Sequence, residues 1–182
     1  MILASGSPQR RAILEQVGIE FEVRLPDVEE LTQGPPHEIA AENAYRKAAI
    51  VAKDWPDALV LGVDTVVALG SVSYGKPADE RDARAMLRAL AGRRHQVISG
   101  ICLIGPGRER TTAATTTVEF RALDDRVIDW YASCGEWHGR AGGYAIQGRG
   151  AALVASVEGD YLNVVGLPLA TLLELEPELL TG

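Results

Sequence analysis

The chain starts on a short apolar run, Ile2-Leu3-Ala4, that breaks into Ser5-Gly6-Ser7-Pro8 and then takes up helical periodicity through Ile13, Leu14 and Val17. A strand that enters a helix through a small-residue turn is the opening unit of an α/β arrangement, and it builds a seat for an anion at the turn. Ser7 suits the N-cap, Pro8 the first helical position and Gly18 the stop. Arg10 and Arg11 fall in the first turn, where the helix dipole disfavours a cation by about 0.3–1 kcal/mol. Two readings stay open there: a negative ligand joins the arginines, or both are solvated on a surface helix.

The rest of the chain repeats this alternation. The pattern predicts strands at 1–5, 20–24 and 59–69, with a polar Pro-rich loop at 25–36 and helices at 8–17 and 37–53. Tyr74-Gly75-Lys76-Pro77 is a turn. Ala83, Met86, Leu87 and Leu90 set an amphipathic helix over 79–91, which Gly92 ends. Strands at 95–104 and 110–121 form a hairpin through Gly105-Pro106-Gly107. A helix at 124–134, a glycine-dense loop at 135–150, a strand at 151–157 and a helix at 168–175 complete the series. An α/β domain on a mixed sheet follows, as one domain over 1–182.

Composition narrows the function. A formal net charge of −7 in 182 residues argues against a stable nucleic-acid partner, which needs a basic face, yet leaves room for a small anionic ligand. No apolar stretch reaches the roughly 20 residues of a membrane span, and the N-terminus lacks the marks of a secretory signal. Cys102, inside Ile101-Cys102-Leu103-Ile104, is expected to pack in a strand; with Cys134 it makes neither a metal spacing nor a redox pair, so a reduced, cytoplasmic setting is expected. His37, His95 and His138 are scattered and form no zinc signature.

Leu61-Gly62-Val63-Asp64-Thr65-Val66-Val67 sets one carboxylate inside a core-like run, a costly place for a charge without a cation, a metal or several donors. Asp64 is expected at a strand end facing a cleft, with a structural hydrogen-bonding hub as the alternative. Glu30, Lys47 and Lys76 have the chemistry to join it, although spacing alone reads both lysines as solvated. In Ala141-Gly142-Gly143-Tyr144-Ala145-Ile146-Gln147-Gly148, the glycines permit close backbone approach to a ligand and Gln147 offers a donor and an acceptor to a base edge.

Leu3-Ala4-Ser5-Gly6-Ser7-Pro8 with Arg10, Gly62-Val63-Asp64-Thr65-Val66-Val67, Gly75-Lys76-Pro77, His95-Gln96-Val97, the 141–148 loop and Asn163-Val164-Val165-Gly166-Leu167-Pro168 together resemble the Maf family of nucleoside triphosphate pyrophosphatases. The resemblance runs from Leu3 to Pro168. It implies an elongated mixed sheet flanked by helices, with a cleft between two lobes, similar to the inosine triphosphate pyrophosphatases. It also implies metal-dependent hydrolysis of a nucleoside triphosphate to a monophosphate and pyrophosphate, by a homodimer. Carried onto this chain, Asp64 is the proton acceptor or a metal-held activator of water, and Glu30 is a second ligand for Mg²⁺ or Mn²⁺. Ser7, Arg10, Lys47 and Lys76 contact phosphates.

Thr65 and Gln147 match the branch acting on dTTP and UTP. Gln9 departs from the Arg of that branch and from the aromatic residue of the 7-methyl-GTP branch. Arg140 stands for a usual Lys, Trp137 and Gly139 for a usual Pro and Asp, and Ser99 for a usual Thr. The alternatives to a dTTP/UTP enzyme are a broader or modified-purine pyrophosphatase and a nucleotide-binding regulator of septum formation.

Overall fold

A computed structural model describes residues 1–181; the last residue of the expected domain, Gly182, lies outside them. Seven strands form one mixed sheet: β1 (Ile2–Ala4), β2 (Glu22–Val23), β3 (Val60–Leu69), β4 (Val72–Tyr74), β5 (Arg94–Gly105), β6 (Arg108–Phe120) and β7 (Val154–Glu158). Their order is β2-β1-β3-β5-β6-β7, with β4 also paired to β3. The β1 contacts to β2 and β3 are parallel, and all others are antiparallel. The helices are α1 (Pro8–Gln16), α2 (Pro36–Ala52), α3 (Glu80–Leu90), α4 (Asp125–Ala132), α5 (Tyr161–Val165) and α6 (Leu169–Leu175). The expected mixed α/β architecture is therefore what forms.

Strand periodicity assigns the two faces of β3 and β5. One face carries Val60, Gly62, Asp64, Val66 and Ala68 on β3, with Ile98, Gly100 and Cys102 on β5, and lies under α2. The glycines set how close α2 comes. A Cβ built on Gly62 falls 2.1 Å from the Ala44 carbonyl oxygen, and one on Gly100 falls 2.1 Å from that of Ala40. Helix alanines Ala40, Ala44 and Ala48 are fully buried in this seam, and Cys102 packs there as expected, its thiol pKa pushed up to about 11 by burial.

The opposite face holds two separate apolar clusters. Leu61, Val63, Ile101 and Leu103 pack with Leu14 of α1 and Leu172 of α6. Further along the same strands, Val67 and Val97 pack with Leu87 of α3, Ile128 of α4 and Tyr144 of the glycine loop. Between the clusters sits a polar pair, Thr65 and Ser99, with their hydroxyls 2.9 Å apart. The two clusters meet at this polar band.

Three expectations need correction. The last strand starts at Val154 instead of 151, because Glu136 accepts hydrogen bonds from the backbone N–H groups of Arg149 and Gly150 and holds 149–153 in a 3₁₀ turn. Helix α5 was not expected: the Asp160 carboxylate caps it by accepting from Leu162 N at 2.8 Å. The residues before the Gly75-Lys76-Pro77 turn pair with β3 as the short strand β4.

Two outcomes follow from this packing. Gly100→Ala drives a methyl into the α2 backbone, so urea denaturation should show a loss of about 1–3 kcal/mol or more. An unchanged midpoint would mean that α2 tolerates a wider seat. His95 is buried, bonds the Tyr144 hydroxyl at 2.9 Å and has its pKa lowered by burial from 6.5 to about 4. The unfolded chain then takes up the proton first, so the stability present above pH 6.5 is lost as pH falls toward 4. The loss amounts to roughly 3 kcal/mol at most. Thermal unfolding across that range should show the decline, and His95→Gln should flatten it.

Candidate active site

Strand β3 is paired from Val60 to Ala68 with β5 on one edge, but its other edge is interrupted. There β1 covers Val60–Gly62 and β4 covers Val67–Leu69, leaving Val63–Val66 without a strand neighbour. Into this gap opens a cleft of about 800 Å³. Asp64 therefore lies in the middle of β3 and not at its end, as the sequence suggested. It reaches the cleft because the neighbouring strand stops at Ala4, opposite Gly62.

All nine residues singled out from sequence line this one cleft: Ser7, Gln9, Arg10, Glu30, Lys47, Asp64, Thr65, Lys76 and Gln147. Asp64 is buried. Its Oδ1 accepts from Lys47 Nζ at 2.6 Å, and the same Nζ lies 2.6 Å from Glu30 Oε1. The solvated reading of Lys47 is overturned. α2 presses so close to the sheet that the lysine stem is buried and its ammonium bridges the two acids. Burial pushes the Glu30 carboxyl up, but the hydrogen bond and charge of Lys47, aided by Lys76 and Arg10, outweigh it and hold the pKa below the ordinary carboxylate value.

Arg10, too, is buried, so the solvated reading of this arginine also fails. Its Nε donates to the Gly166 carbonyl at 2.9 Å, Nη1 to Ser5 Oγ at 2.9 Å and Nη2 to Thr65 Oγ1 at 3.2 Å. Burial lowers its pKa, opposed by the nearby charges of Asp64 and Glu30. A guanidinium stays protonated through such a shift. It makes no ion pair among the described residues, so its charge is uncompensated by direct contact. Arg11 remains exposed.

Lys76 is exposed on its turn, in keeping with the solvated reading, but the turn aims it at the cleft. Gly142 N–H donates to the Gly75 carbonyl at 3.0 Å, stitching the glycine loop to the Lys76 turn. A left-handed Gly142 (φ +68°) permits this, and a Cβ there would strike the Val67 side chain at 2.9 Å. Arg140 and the exposed Gln147 are thereby set on the cleft wall. Gln9 Oε1 accepts from Ser7 Oγ at 3.2 Å, and Ser7 Oγ caps Arg10 N weakly at 3.5 Å. Trp137, one of the departures from the family pattern, is buried in the α3–α4 cluster and donates from Nε1 to the Ala132 carbonyl at 2.8 Å.

Residues missed from sequence are Asn43, which donates from Nδ2 to Asp64 Oδ2 at 3.2 Å, and Ser5, which receives Arg10 Nη1. Glu136, on the cleft wall, was missed as well. Only the one-turn spacing of Asn43 and Lys47 on a helix offered a signal for the first. None marked the others.

No group of three or more His, Cys, Asp or Glu side chains converges among the described residues. Two carboxylates with hard oxygen donors fit an ion of the Mg²⁺ class, which takes one or two protein carboxylates and completes its shell with substrate phosphates and water. They offer no nitrogen or sulfur for zinc. No described helix is long and apolar enough to cross a membrane.

Comparison with known proteins places the chain in a family. A family profile described as Maf-like protein matches residues 1–178. The chain is 47% identical over 176 residues to the dTTP/UTP pyrophosphatase of Deinococcus radiodurans, covering 96% of this chain and 90% of that protein. It is 47% identical over 171 residues to the protein of the same name from Symbiobacterium thermophilum, covering 93% and 88%. With that of Pyrococcus furiosus it shares 42% over 177 residues, covering 96% and 93%. The chain belongs to the Maf family.

Proposed function

We propose that this protein hydrolyses nucleoside triphosphates, dTTP and UTP in particular, to the monophosphate and pyrophosphate. The observation that carries the reading is the Asp64–Lys47–Glu30 chain at the gap in β3, facing an uncompensated Arg10 and the exposed Lys76 across one cleft. Relatives named dTTP/UTP pyrophosphatase at 42–47% identity support the substrate class.

A triphosphate brings its own negative charge, and Arg10, Lys47, Lys76 and the Ser7 hydroxyl meet it in the cleft. Arg10 is held on three sides, so its charge costs little reorganisation when a phosphate arrives. Asp64, paired with Lys47 at 2.6 Å, is the general base. It takes a proton from a water whose oxygen forms a bond to the α-phosphorus as the bond to the bridging oxygen breaks, and the electron pair leaves with pyrophosphate. Glu30 and Asp64 would hold a Mg²⁺ or Mn²⁺ ion, and the chemistry it supplies is neutralisation of charge along the polyphosphate. Gln9, Thr65 and Gln147 select the base. Thr65 does so with a hydroxyl already engaged by Arg10 and Ser99. The protein works as one domain over 1–182, as a homodimer, in the cytoplasm, where its two free cysteines suit a reducing medium.

A nucleotide panel with Mg²⁺ or Mn²⁺ tests this. Pyrophosphate release is expected, fastest from dTTP and UTP. Orthophosphate as the product would defeat the reaction, and a clear purine preference would defeat the base assignment. Asp64→Asn, which leaves Lys47 its pair with Glu30, should lower kcat by about 100-fold or more, the range in which a general base contributes.

A further inference from the structure

Asn43 is 2% exposed, sits on α2 one turn before Lys47, and makes three hydrogen bonds with one carboxamide. Its Oδ1 accepts from the Leu31 N–H at 2.7 Å, and its Nδ2 donates to the Leu31 carbonyl at 3.0 Å. These two contacts clasp both polar groups of one residue as a neighbouring strand would. The second Nδ2 hydrogen goes to Asp64 Oδ2 at 3.2 Å. Leu31 follows Glu30 directly, so a single side chain ties the backbone beside one acid to the carboxylate of the other.

The loop that carries Glu30 has little else to hold it. Between Leu25 and Gly34 no backbone group bonds to another backbone group, and the other polar ties are a 3.5 Å contact from Arg46 to the Glu29 carbonyl and the Lys47–Glu30 pair. Glu30 keeps 41% of its side chain exposed. An ammonium attracts as a point charge with no fixed direction, so its pair with a part-exposed Glu30 is a weak positional constraint. The Asn43 clasp is directional, part-buried at Leu31 and buried at Asp64, so it fixes the loop where the ion pair only attracts it. The chemistry is also particular to this side chain: an aspartate lacks the two donations, and a serine has only one donor on a shorter stem.

We propose that Asn43 is a positioning residue that latches the Glu30 loop to Asp64, so that both acids stand in register before the nucleotide arrives. This rests on the assignment of Glu30 and Asp64 to the hydrolytic site. The latch acts through preorganisation, in which a small misplacement of a reacting group is costly in rate.

The test combines a double-mutant cycle with amide exchange. Asn43→Ala should lower kcat for dTTP by about 10- to 100-fold, while KM changes by less than about threefold. In a Glu30→Gln background the same substitution should cost less than about threefold, because the position it protects no longer carries a ligand. Amides over 25–34 should lose exchange protection in Asn43→Ala, while those of β3 and β5 keep theirs. In the unmodified protein the Leu31 amide should exchange at least about tenfold slower than those of Glu29 and Glu30. That arm needs no variant, so it still decides the matter should Asn43→Ala fail to fold. Fully additive losses in the cycle, or a Leu31 amide as fast as its neighbours, would overturn the latch. If the unmodified protein releases no pyrophosphate, the hydrolytic reading fails, while the exchange result still reports on the clasp.

Discussion

The close seat of α2 on β3 and β5 is the constraint on which the rest depends. A carboxylate in mid-strand on a covered sheet face is a poor place for a charge. It is tolerable here because Gly62 and Gly100 carry no Cβ where the helix backbone passes, and Ala40, Ala44 and Ala48 add no bulk from the other side. The helix then comes near enough for Lys47 and Asn43, one turn apart, to reach both oxygens of Asp64. Either glycine with a side chain would lift the helix, and the acid would lose its partners first. Removing one partner of such a buried pair leaves an uncompensated charge, which is far costlier than the pair is stabilising.

The second determinant is an interruption. A sheet covers backbone on both edges of a strand, yet β3 loses its neighbour between Gly62 and Val67. On the face away from α2, the polar Thr65–Ser99 pair divides two apolar clusters at the same level. The gap and the polar band together give a cleft that reaches both faces of the sheet. Arg10, Lys47, Lys76 and Arg140 line it against Glu30, Asp64 and Glu136, an excess of cations in a chain of net charge −7.

Local signals in the sequence carried most of the elements. The apolar stripe of α3, the Ser7-Pro8 start of α1 and the hairpin through Pro106-Gly107 lie where periodicity and turn residues put them. Contacts between distant segments were less legible. Lys47 reads as a solvated helix lysine because nothing near it in sequence reports that Gly62 and Gly100 will bring the sheet against it. Asp64 reads as a strand end because the early stop of β1 is a property of another segment. Asn43 offers only its one-turn spacing from Lys47, and the start of β7 at Val154 depends on Glu136, in a separate segment upstream. The motif resemblance named nine residues without giving the reason for their arrangement; the packing of α2 supplies it for Asp64 and Lys47.

The direct test of the hydrolytic account is the fate of the water oxygen. With dTTP turned over in ¹⁸O-labelled water and both products weighed by mass spectrometry, attack at the α-phosphorus by the water that Asp64 deprotonates puts the label in the nucleoside monophosphate. Label in the pyrophosphate would mean attack at the β-phosphorus, and the assignment of Asp64 and its cation partners would then be wrong.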